Sequence, residues 1–385
     1  MYAFRSFVRQ SAVKVHLAAA DAIYKVTGGK LPKSLFCSRA NPQKVGTSVR
    51  IIGEGDYWTD IAKFDANGNI SDEDFVILST TDLHLDTDHD LNTKTVEMLY
   101  KHIRDSKPDL VVLTGDVILS KFQQIDAIQF ARMMEKIGVY WTAVFGNHEV
   151  REEKGFYKYL LMKSFADYDH CLCKHGPEEL FGYGNHVVNV IGKEGKLRKS
   201  LFLLDSGRDI IDAYREEHGC PADYDAYDFL KNNQIDFYKK EVDRLTEKYG
   251  ECKSLMYMHI PLPEYSLAFS GNDKDGFVPS GECEILYGRQ FESVGCSKFN
   301  SGMFDAILEK GSTQAVFSGH DHINDWCAIY KGVYLVYNQP DCYNLYHVGT
   351  KKDWPEKDWT HGVTLTTLHA DGSLDFAQRF NSLYI

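Results

Sequence analysis

The chain contains 385 residues, of which 43% are hydrophobic and 13% aromatic, and its formal net charge is −12. This composition supplies a sizeable core and excludes an intrinsically disordered chain. The negative charge disfavours a nucleic-acid-binding or anionic-membrane surface, because such partners require clustered lysine and arginine. The nine cysteines are scattered and form no CxxC pair, which is typical of a protein from a reducing compartment.

Residues 1–44 are predicted to form a helical extension. Its apolar residues recur at helical spacing at Val13, Leu17, Ala20 and Tyr24. Because charged residues interrupt this segment, an amphipathic helix is favoured over a signal peptide. We expect the helix to dock on the body of the same chain rather than on a partner. No stretch reaches the roughly 18 apolar residues of a membrane span, so we predict a cytoplasmic protein.

Residues 45–385 are predicted to form one domain that opens with a β-hairpin. The two strands of the hairpin are expected at 48–52 and 58–64, with a turn at 65–68. From Asp74 onward, apolar strand-like runs alternate with amphipathic helical runs. This order is typical of parallel or mixed sheets layered with helices.

Residues 262–300 interrupt the alternation. They are rich in glycine and serine and show little periodicity. A long loop inside a compact domain is usually a lid or a binding loop, so we predict an active-site loop here. Beyond it, strands are expected at 333–337 and 363–368, and Asp371-Gly372 predicts a closing hairpin.

Five of the strand-like runs end in short motifs that contain Asp, Asn or His. The motifs are Asp82-Leu83-His84, Gly115-Asp116, Gly146-Asn147-His148-Glu149, His259 and Gly319-His320-Asp321-His322. In open α/β sheets, ligands collect at the carboxyl ends of the strands, so we expect the motifs to converge on one site. Carboxylate, imidazole and amide oxygen ligands suit divalent Zn, Mn or Fe.

In this order the motifs resemble those of the calcineurin-like metallophosphoesterase superfamily, and the resemblance extends from Asp74 to the end of the sequence. Segments 204–207, 258–264, 300–302 and 317–326 look like the branch that contains the Dcr2 phosphatase and the small plant purple acid phosphatase relatives. The resemblance implies an αββα sandwich, in which two mixed β-sheets are flanked by helices.

The resemblance further implies two divalent metal ions whose ligand sets share one carboxylate. The first set is Asp82, His84, Asp116 and His322. The second set is Asp116, Asn147, His259 and His320. Independently of the family, two cations roughly 3.5–4 Å apart can clamp the attacking and leaving oxygens of an in-line displacement. A shared carboxylate is a natural way to hold two positive charges that close.

His148 resembles the proton donor of the family, and a histidine suits this role because its pKa lies near working pH. The implied reaction is the attack of a metal-bound hydroxide on the phosphorus of a phosphorylated small molecule or phosphoprotein. We expect a phosphomonoesterase. A phosphodiesterase acting on a nucleotide or similar diester is the second interpretation, because the same metal pair serves both ester classes. A non-catalytic scaffold is disfavoured, because all the motif residues are present.

Leu119 departs from the pattern of purple acid phosphatases, which place an iron-binding tyrosine at that position. This departure predicts a colourless metal centre. The basic residues that grip phosphate in protein phosphatases are not identifiable, and Arg151 and Arg208 are candidates by proximity alone.

Other polar residues near the motifs have structural interpretations. Glu149, Asn324 and Asp325 are expected to orient ligands or to cap backbone groups. The acidic loop 86–90, which contains His89, could contact substrate or be solvated, and solvation is favoured because runs of charge usually are solvated.

Overall fold

The structure is a computed structural model and describes residues 40–120, 123–149, 156–210, 215–216, 219, 227–344 and 361–384. The predicted N-terminal amphipathic helix lies outside the described residues. No helix within these ranges combines the length and the apolar character that crossing a membrane requires.

Strands and helices alternate between Phe75 and Ala166, as expected, whereas strands predominate in the rest of the described chain. The strands are β1 (Val49–Glu54), β2 (Trp58–Lys63), β3 (Phe75–Thr80), β4 (Leu110–Thr114), β5 (Trp141–Val144), β6 (His186–Ile191), β7 (Leu197–Leu203), β8 (Ser254–Tyr257), β9 (Phe269–Asn272), β10 (Gly276–Pro279), β11 (Glu284–Tyr287), β12 (Thr313–Ser318), β13 (Cys327–Tyr330), β14 (Val333–Tyr337), β15 (Gly362–Leu368) and β16 (Leu374–Phe380). The α-helices are α1 (His89–Ser106), α2 (Gln123–Ile137), α3 (Phe156–Ala166), α4 (Asn232–Tyr249) and α5 (Met303–Lys310).

Helix α1 illustrates how the sequence sets the ends of these elements. The carboxylate of Asp88 caps the first turn by accepting hydrogen bonds from the backbone N–H groups of Asp90 and Leu91, both at 3.0 Å. Lys107 ends the helix in a left-handed conformation, and Pro108 follows. Asp88 is exposed, as expected for the acidic loop, and it also has a structural role as a helix cap.

The strands form two large mixed sheets and a separate hairpin of β9 and β10. The first large sheet has five strands in the order β16-β15-β3-β4-β5. Its strands β3, β4 and β5 run parallel, and β15 is antiparallel to both of its neighbours. The second has nine strands in the order β1-β2-β6-β7-β8-β12-β14-β13-β11, and its central strands β7, β8, β12 and β14 run parallel.

The two large sheets pack face to face. Buried side chains from both sheets share one core, among them Ile77, Val112, Leu203, Leu255 and Phe317. Helices α1, α2 and α3 pack on the outer face of the five-stranded sheet, and α4 and α5 pack on the nine-stranded sheet. The predicted αββα sandwich is therefore confirmed.

The structure corrects the predicted N-terminal hairpin. Strands β1 and β2 pair antiparallel as expected, but residues 55–57 connect them. The predicted turn at 65–68 instead follows β2, where it leads to an isolated bridge between Phe64 and Ile70. Residues 65–68 do form a turn, but the predicted place of this turn in the β1–β2 hairpin was wrong.

The structure also corrects the interpretation of residues 262–300 as an irregular loop. This segment contains the β9–β10 hairpin and strand β11, which forms one edge of the nine-stranded sheet. Each of these strands has only four residues, so none is long enough to produce a clear alternation of apolar and polar side chains.

Candidate metal centre

The five motifs lie at the carboxyl ends of strands that run parallel within each sheet. In the five-stranded sheet, the ends of β3, β4 and β5 lead to Asp82, Asp116 and Asn147. In the nine-stranded sheet, the neighbouring ends of β8 and β12 lead to His259 and His320. Because the two sheets pack face to face, the motifs meet at the seam between them.

Asp82, His84 and His322 form the first group of potential metal ligands. All three side chains are buried, and one ligand atom from each lies within 4.8 Å of the others. The Nε2 atoms of His84 and His322 lie 3.1 Å and 3.4 Å from Oδ1 of Asp82. The first and last motifs of the chain are therefore in direct contact.

Asp116, His259 and His320 form the second group, again with ligand atoms within 4.8 Å of one another. The Nε2 atom of His259 lies 3.2 Å from Oδ2 of Asp116 and 3.0 Å from Oδ1 of Asn147. Asn147, the predicted amide ligand, thus joins this group. All seven side chains that the sequence proposes as ligands come together at the seam.

The Asp116 carboxylate lies between the two groups. Its Oδ2 atom is 3.2 Å from Nε2 of His259 in the second group and 3.5 Å from Nε2 of His84 in the first. This oxygen is buried and accepts no hydrogen bond within the described residues. Because a buried carboxylate oxygen without a donor is costly, this is a position at which a cation is expected. The donor set of carboxylates, imidazoles and an amide oxygen fits divalent Zn, Mn or Fe.

The electrostatics of the site favour a cation. Burial opposes ionisation of Asp82 and Asp116, but His259 and the other imidazoles lower the pKa of both carboxyl groups. Although its own burial disfavours a charge, the two carboxylates raise the pKa of His259 to about 10. Burial lowers the pKa of His320 to about 3, which keeps this imidazole neutral. Two buried negative charges therefore face imidazoles that can either hold a proton or bind a metal ion.

Four of the candidate ligands have a left-handed backbone. The φ angle is 51° at Asp82, 42° at His84, 52° at Asp116 and 77° at His320. Few non-glycine residues adopt this conformation, and Asp, Asn and His are enriched among those that do. Hydrogen bonds between the loops fix the turns, since the N–H of Asp82 donates to the carbonyl of Gly115 at 3.0 Å and that of His84 to the carbonyl of Asp116 at 2.9 Å.

Gly115 and Gly146, which precede two of the ligands, leave no room for a side chain. A Cβ atom at Gly115 would lie 2.6 Å from Nδ1 of His259, and one at Gly146 would overlap the carboxylate of Asp116. In each case the obstacle belongs to a different motif. A larger residue at either glycine would push two motifs apart, so the glycines allow the strand ends to approach one another.

Glu149 joins two of the motif loops. Its buried carboxylate accepts hydrogen bonds from the backbone N–H groups of Asp116 at 2.9 Å, Ile118 at 3.1 Å and Gly146 at 2.6 Å, and also from Val117. These contacts agree with the expectation that Glu149 orients ligands. Burial and the nearby Asp116 carboxylate raise the pKa of Glu149 to about 7, and the backbone N–H donors oppose this shift by favouring the charged form.

The end of the predicted active-site loop lies against the last motif. The side-chain oxygens of Asn324 and Asp325 accept backbone N–H groups from this segment, both at 2.9 Å, which agrees with their expected capping role. The N–H of Gly295 donates to the carboxylate of Asp321 at 3.0 Å. A Cβ atom at Gly295 would lie 3.0 Å from Nε2 of His320, so the segment forms part of the wall beside that ligand.

His148 is the exposed histidine of the motifs. About 45% of its side chain is accessible, and its Nε2 atom lies 3.9 Å from Oδ2 of Asp116. Burial of the remaining part lowers the pKa of His148. The ring therefore faces both the ligand groups and the solvent.

Tyr227 lies at the site although no sequence motif marks it. Its ring meets the ring of His320 edge to face, with centroids 4.2 Å apart. The sequence around it has no periodicity from which this contact could be predicted. Of the two arginines considered for phosphate binding, Arg208 forms an ion pair with Asp209 at 2.9 Å, and Arg151 lies outside the described residues.

The motifs and their arrangement match a known protein family. A sequence profile described as calcineurin-like phosphoesterase matches residues 75–324, which is more than half of the chain and includes all five motifs. The chain therefore belongs to the calcineurin-like phosphoesterase family, as the motifs predict.

Individual relatives include "Probable inactive purple acid phosphatase 14" of Arabidopsis thaliana, which is 28% identical over 271 residues, or 64% of this chain and 61% of the relative. "Phosphatase DCR2" of Saccharomyces cerevisiae is 27% identical over 244 residues, or 61% of this chain and 39% of the relative. The chain thus spans less than two thirds of the length of these curated relatives. A dimetal phosphatase structure from Danio rerio has a TM-score of 0.49 at 12% identity, covering 80% of this chain and 96% of that chain.

Proposed function

We propose that this chain is a metal-dependent phosphomonoesterase with a dinuclear centre. The observation that carries the proposal is the position of the Asp116 carboxylate, which faces His84 of one ligand group and His259 of the other. One buried carboxylate between two groups of imidazoles suits two adjacent cations. Membership of the calcineurin-like phosphoesterase family supports the same conclusion.

Two ligand sets that share Asp116 would hold the cations. The first set adds Asp82, His84 and His322, and the second adds Asn147, His259 and His320. Cations bound there would supply Lewis acidity toward the phosphoryl oxygens and lower the pKa of a water molecule. Mn, Fe and Zn are the proposed metals, because carboxylates, imidazoles and an amide oxygen are ligands that these ions share.

His148 donates a proton from Nε2 to the leaving-group oxygen in this proposal. The atom points toward the ligand groups, 3.9 Å from Oδ2 of Asp116, and the ring is accessible to solvent. A substrate held at the ligand groups would place its ester oxygen within reach of the ring, and the ring can recover its proton from water. A positioned general acid of this kind contributes roughly 10²–10⁴-fold to turnover.

The proposal of a phosphomonoester rather than a phosphodiester substrate rests on similarity to named relatives. One relative carries the name of a phosphatase, whereas the plant relative is named inactive. This chain has every residue of both ligand sets together with His148, which supports catalysis over a scaffold role. The proposed substrate is a phosphorylated small molecule or a phosphoprotein, and the cytoplasmic location stays a prediction.

A panel of substrates and metals tests the proposal. Chelator-treated protein is reconstituted with Mn²⁺, Fe²⁺, Zn²⁺ or Mg²⁺ and assayed with p-nitrophenyl phosphate, an alkyl phosphate, bis-p-nitrophenyl phosphate and a cyclic nucleotide. We expect metal-dependent hydrolysis that is faster for the monoesters. Faster hydrolysis of the diesters would replace the proposed activity by a phosphodiesterase activity. Protein that binds two ions and turns over none of these esters would be a scaffold.

A further inference from the structure

The ring of His148 has few contacts of its own. Neither ring nitrogen makes a hydrogen bond within the described residues, and about 45% of the side chain is accessible. Its aromatic neighbour is His84, whose ring centroid lies 5.0 Å away in an edge-to-face arrangement. The direction in which the His148 ring points therefore depends on how its backbone is held.

The backbone of His148 is held on both sides. Its N–H donates to Oδ1 of Asp116 at 2.8 Å, which ties it to the shared carboxylate. Its carbonyl accepts a hydrogen bond from Nε2 of Gln123 at 2.7 Å. The same amide nitrogen lies 3.2 Å from the carbonyl of Ile118, in the loop that follows Asp116. Gln123 is 8% exposed and is the first residue of α2, so it connects two motif loops from a rigid element.

We propose that Gln123 is a positioning residue that aims the His148 ring at the leaving-group oxygen. The inference rests on the proposed role of His148 as the proton donor. Gln123 does not reach the ligand groups itself, because its amide is occupied by the carbonyls of His148 and Ile118. It acts by fixing the peptide from which the His148 ring projects. Displacing a catalytic group by about 1 Å can cost roughly 10²-fold in rate, so one backbone hydrogen bond can matter for turnover.

Two variants remove this hydrogen bond. Gln123→Met keeps the length of the side chain and removes the donor. Gln123→Glu keeps the shape and replaces the donor by an acceptor, which repels the His148 carbonyl. Gln124→Met is the matched control, because the neighbouring Gln124 amide nitrogen makes no hydrogen bond within the described residues.

The readout is the ratio of turnover with an alkyl phosphate to turnover with p-nitrophenyl phosphate. An alkoxide needs a proton to leave and p-nitrophenolate does not, so misplacement of His148 should slow the alkyl ester selectively. We expect both Gln123 variants to lower this ratio by roughly 10- to 100-fold while metal content stays at the wild-type level, and Gln124→Met to leave it unchanged. The ratio does not depend on the fraction of protein that folds, because both substrates report on the same active molecules.

A double variant separates positioning from general damage. In a His148→Ala background, adding Gln123→Met should produce no further change in the ratio, because the group that Gln123 positions is gone. An equal slowing of both esters, an unchanged ratio, or a further fall in the double variant would each overturn the inference. Wild-type protein that hydrolyses neither ester would instead refute the proposed function.

Discussion

The two sheets contribute different chemistry to the candidate metal centre. The five-stranded sheet supplies both carboxylates, Asp82 and Asp116, whereas the nine-stranded sheet supplies imidazoles alone, from His259, His320 and His322. Each ligand group nevertheless combines side chains from both sheets. Neither sheet by itself offers a complete set, so the site exists only when the sandwich is closed. Both negative charges therefore come from the five-stranded side of the seam, and the nine-stranded side contributes imidazoles.

The largest expected effect is a difference in metal content between a variant of the five-stranded side of the seam and a variant of the nine-stranded side. Asp116→Asn should weaken the binding of both ions, because the carboxylate faces both groups, whereas His322→Asn removes a ligand from one group only. We expect elemental analysis to find about two ions per chain in the reconstituted wild type and about one in His322→Asn. Asp116→Asn should retain less than one, with turnover close to the background.

The loss in affinity from Asp116→Asn should exceed the roughly 10–100-fold that follows loss of a hydrogen-bond partner of a metal ligand. Asparagine is tolerated by the left-handed backbone at this position, so we expect the variant to fold. Its loss of metal would then reflect the loss of the carboxylate rather than unfolding. Equal metal loss in the two variants would show that the carboxylate is not shared. One tightly held ion in the wild type, with no second after reconstitution, would contradict a dinuclear centre.

The second prediction concerns a residue on the carboxylate side that is assigned no metal. His148→Ala should leave two ions bound and reduce turnover of an alkyl phosphate by roughly 10²–10⁴-fold. The loss should be smaller with p-nitrophenyl phosphate, since its leaving group needs little protonation. If the variant loses metal, His148 is a ligand. If both esters slow equally, the histidine stabilises charge in the transition state and does not donate the proton.

The third prediction concerns the free energy of unfolding, because ions bound by residues of both sheets should stabilise the closed sandwich. Adding metal to chelator-treated protein should raise the free energy of unfolding by about 2.7 kcal/mol for each site when the free ion is at 100 times its dissociation constant. Denaturant titration with and without metal measures this difference. Asp116→Asn should show a much smaller rise under the same conditions. Bound ions without any stabilisation of the wild type would show that they do not link the sheets in the folded state.

The smallest expected effect is spectroscopic. Leu119 follows the Asp116 motif, and its backbone N–H donates to the carbonyl of Leu85 at 3.0 Å. Its apolar side chain cannot provide the phenolate that colours purple acid phosphatases, so iron-loaded protein should have no charge-transfer band in the green to yellow region. Absorption spectra before and after removal of loosely bound iron test this. A band that survives the removal would mean that another residue supplies the phenolate.

The sequence pattern was sufficient for sheets layered with helices and for the convergence of the motifs, whereas the αββα sandwich came from the family resemblance. Each motif follows a buried strand, so its position at a sheet edge is a local property that the pattern records. The assignment of Asp116 to both ligand sets also came from the family resemblance. The spacing of residues along the sequence does not give the distance between strands of different sheets. The four-residue strands β9, β10 and β11 were missed because so few residues give no usable period.

Other residues at the site leave no trace in the sequence for a physical reason. Gln123 binds the carbonyl of His148, and a carbonyl is present whatever the residue type, so no complementary side chain marks the contact. Tyr227 meets His320 through ring packing from a segment without periodicity. Contacts of this kind depend on the packing of distant loops, and they become visible only in three dimensions.

The left-handed turns at the candidate ligands bear on how relatives of this chain should be compared. At such a turn most side chains cost roughly 1–2 kcal/mol, and Asp, Asn and His are among the better tolerated. Selection for folding alone would therefore favour Asp, Asn or His at a position such as Asp116 even after catalysis had been lost. Asn147 and His148 lie outside the left-handed region, so nothing in the backbone preserves them. Drift at these two positions is the more sensitive mark of a relative that no longer turns over its substrate.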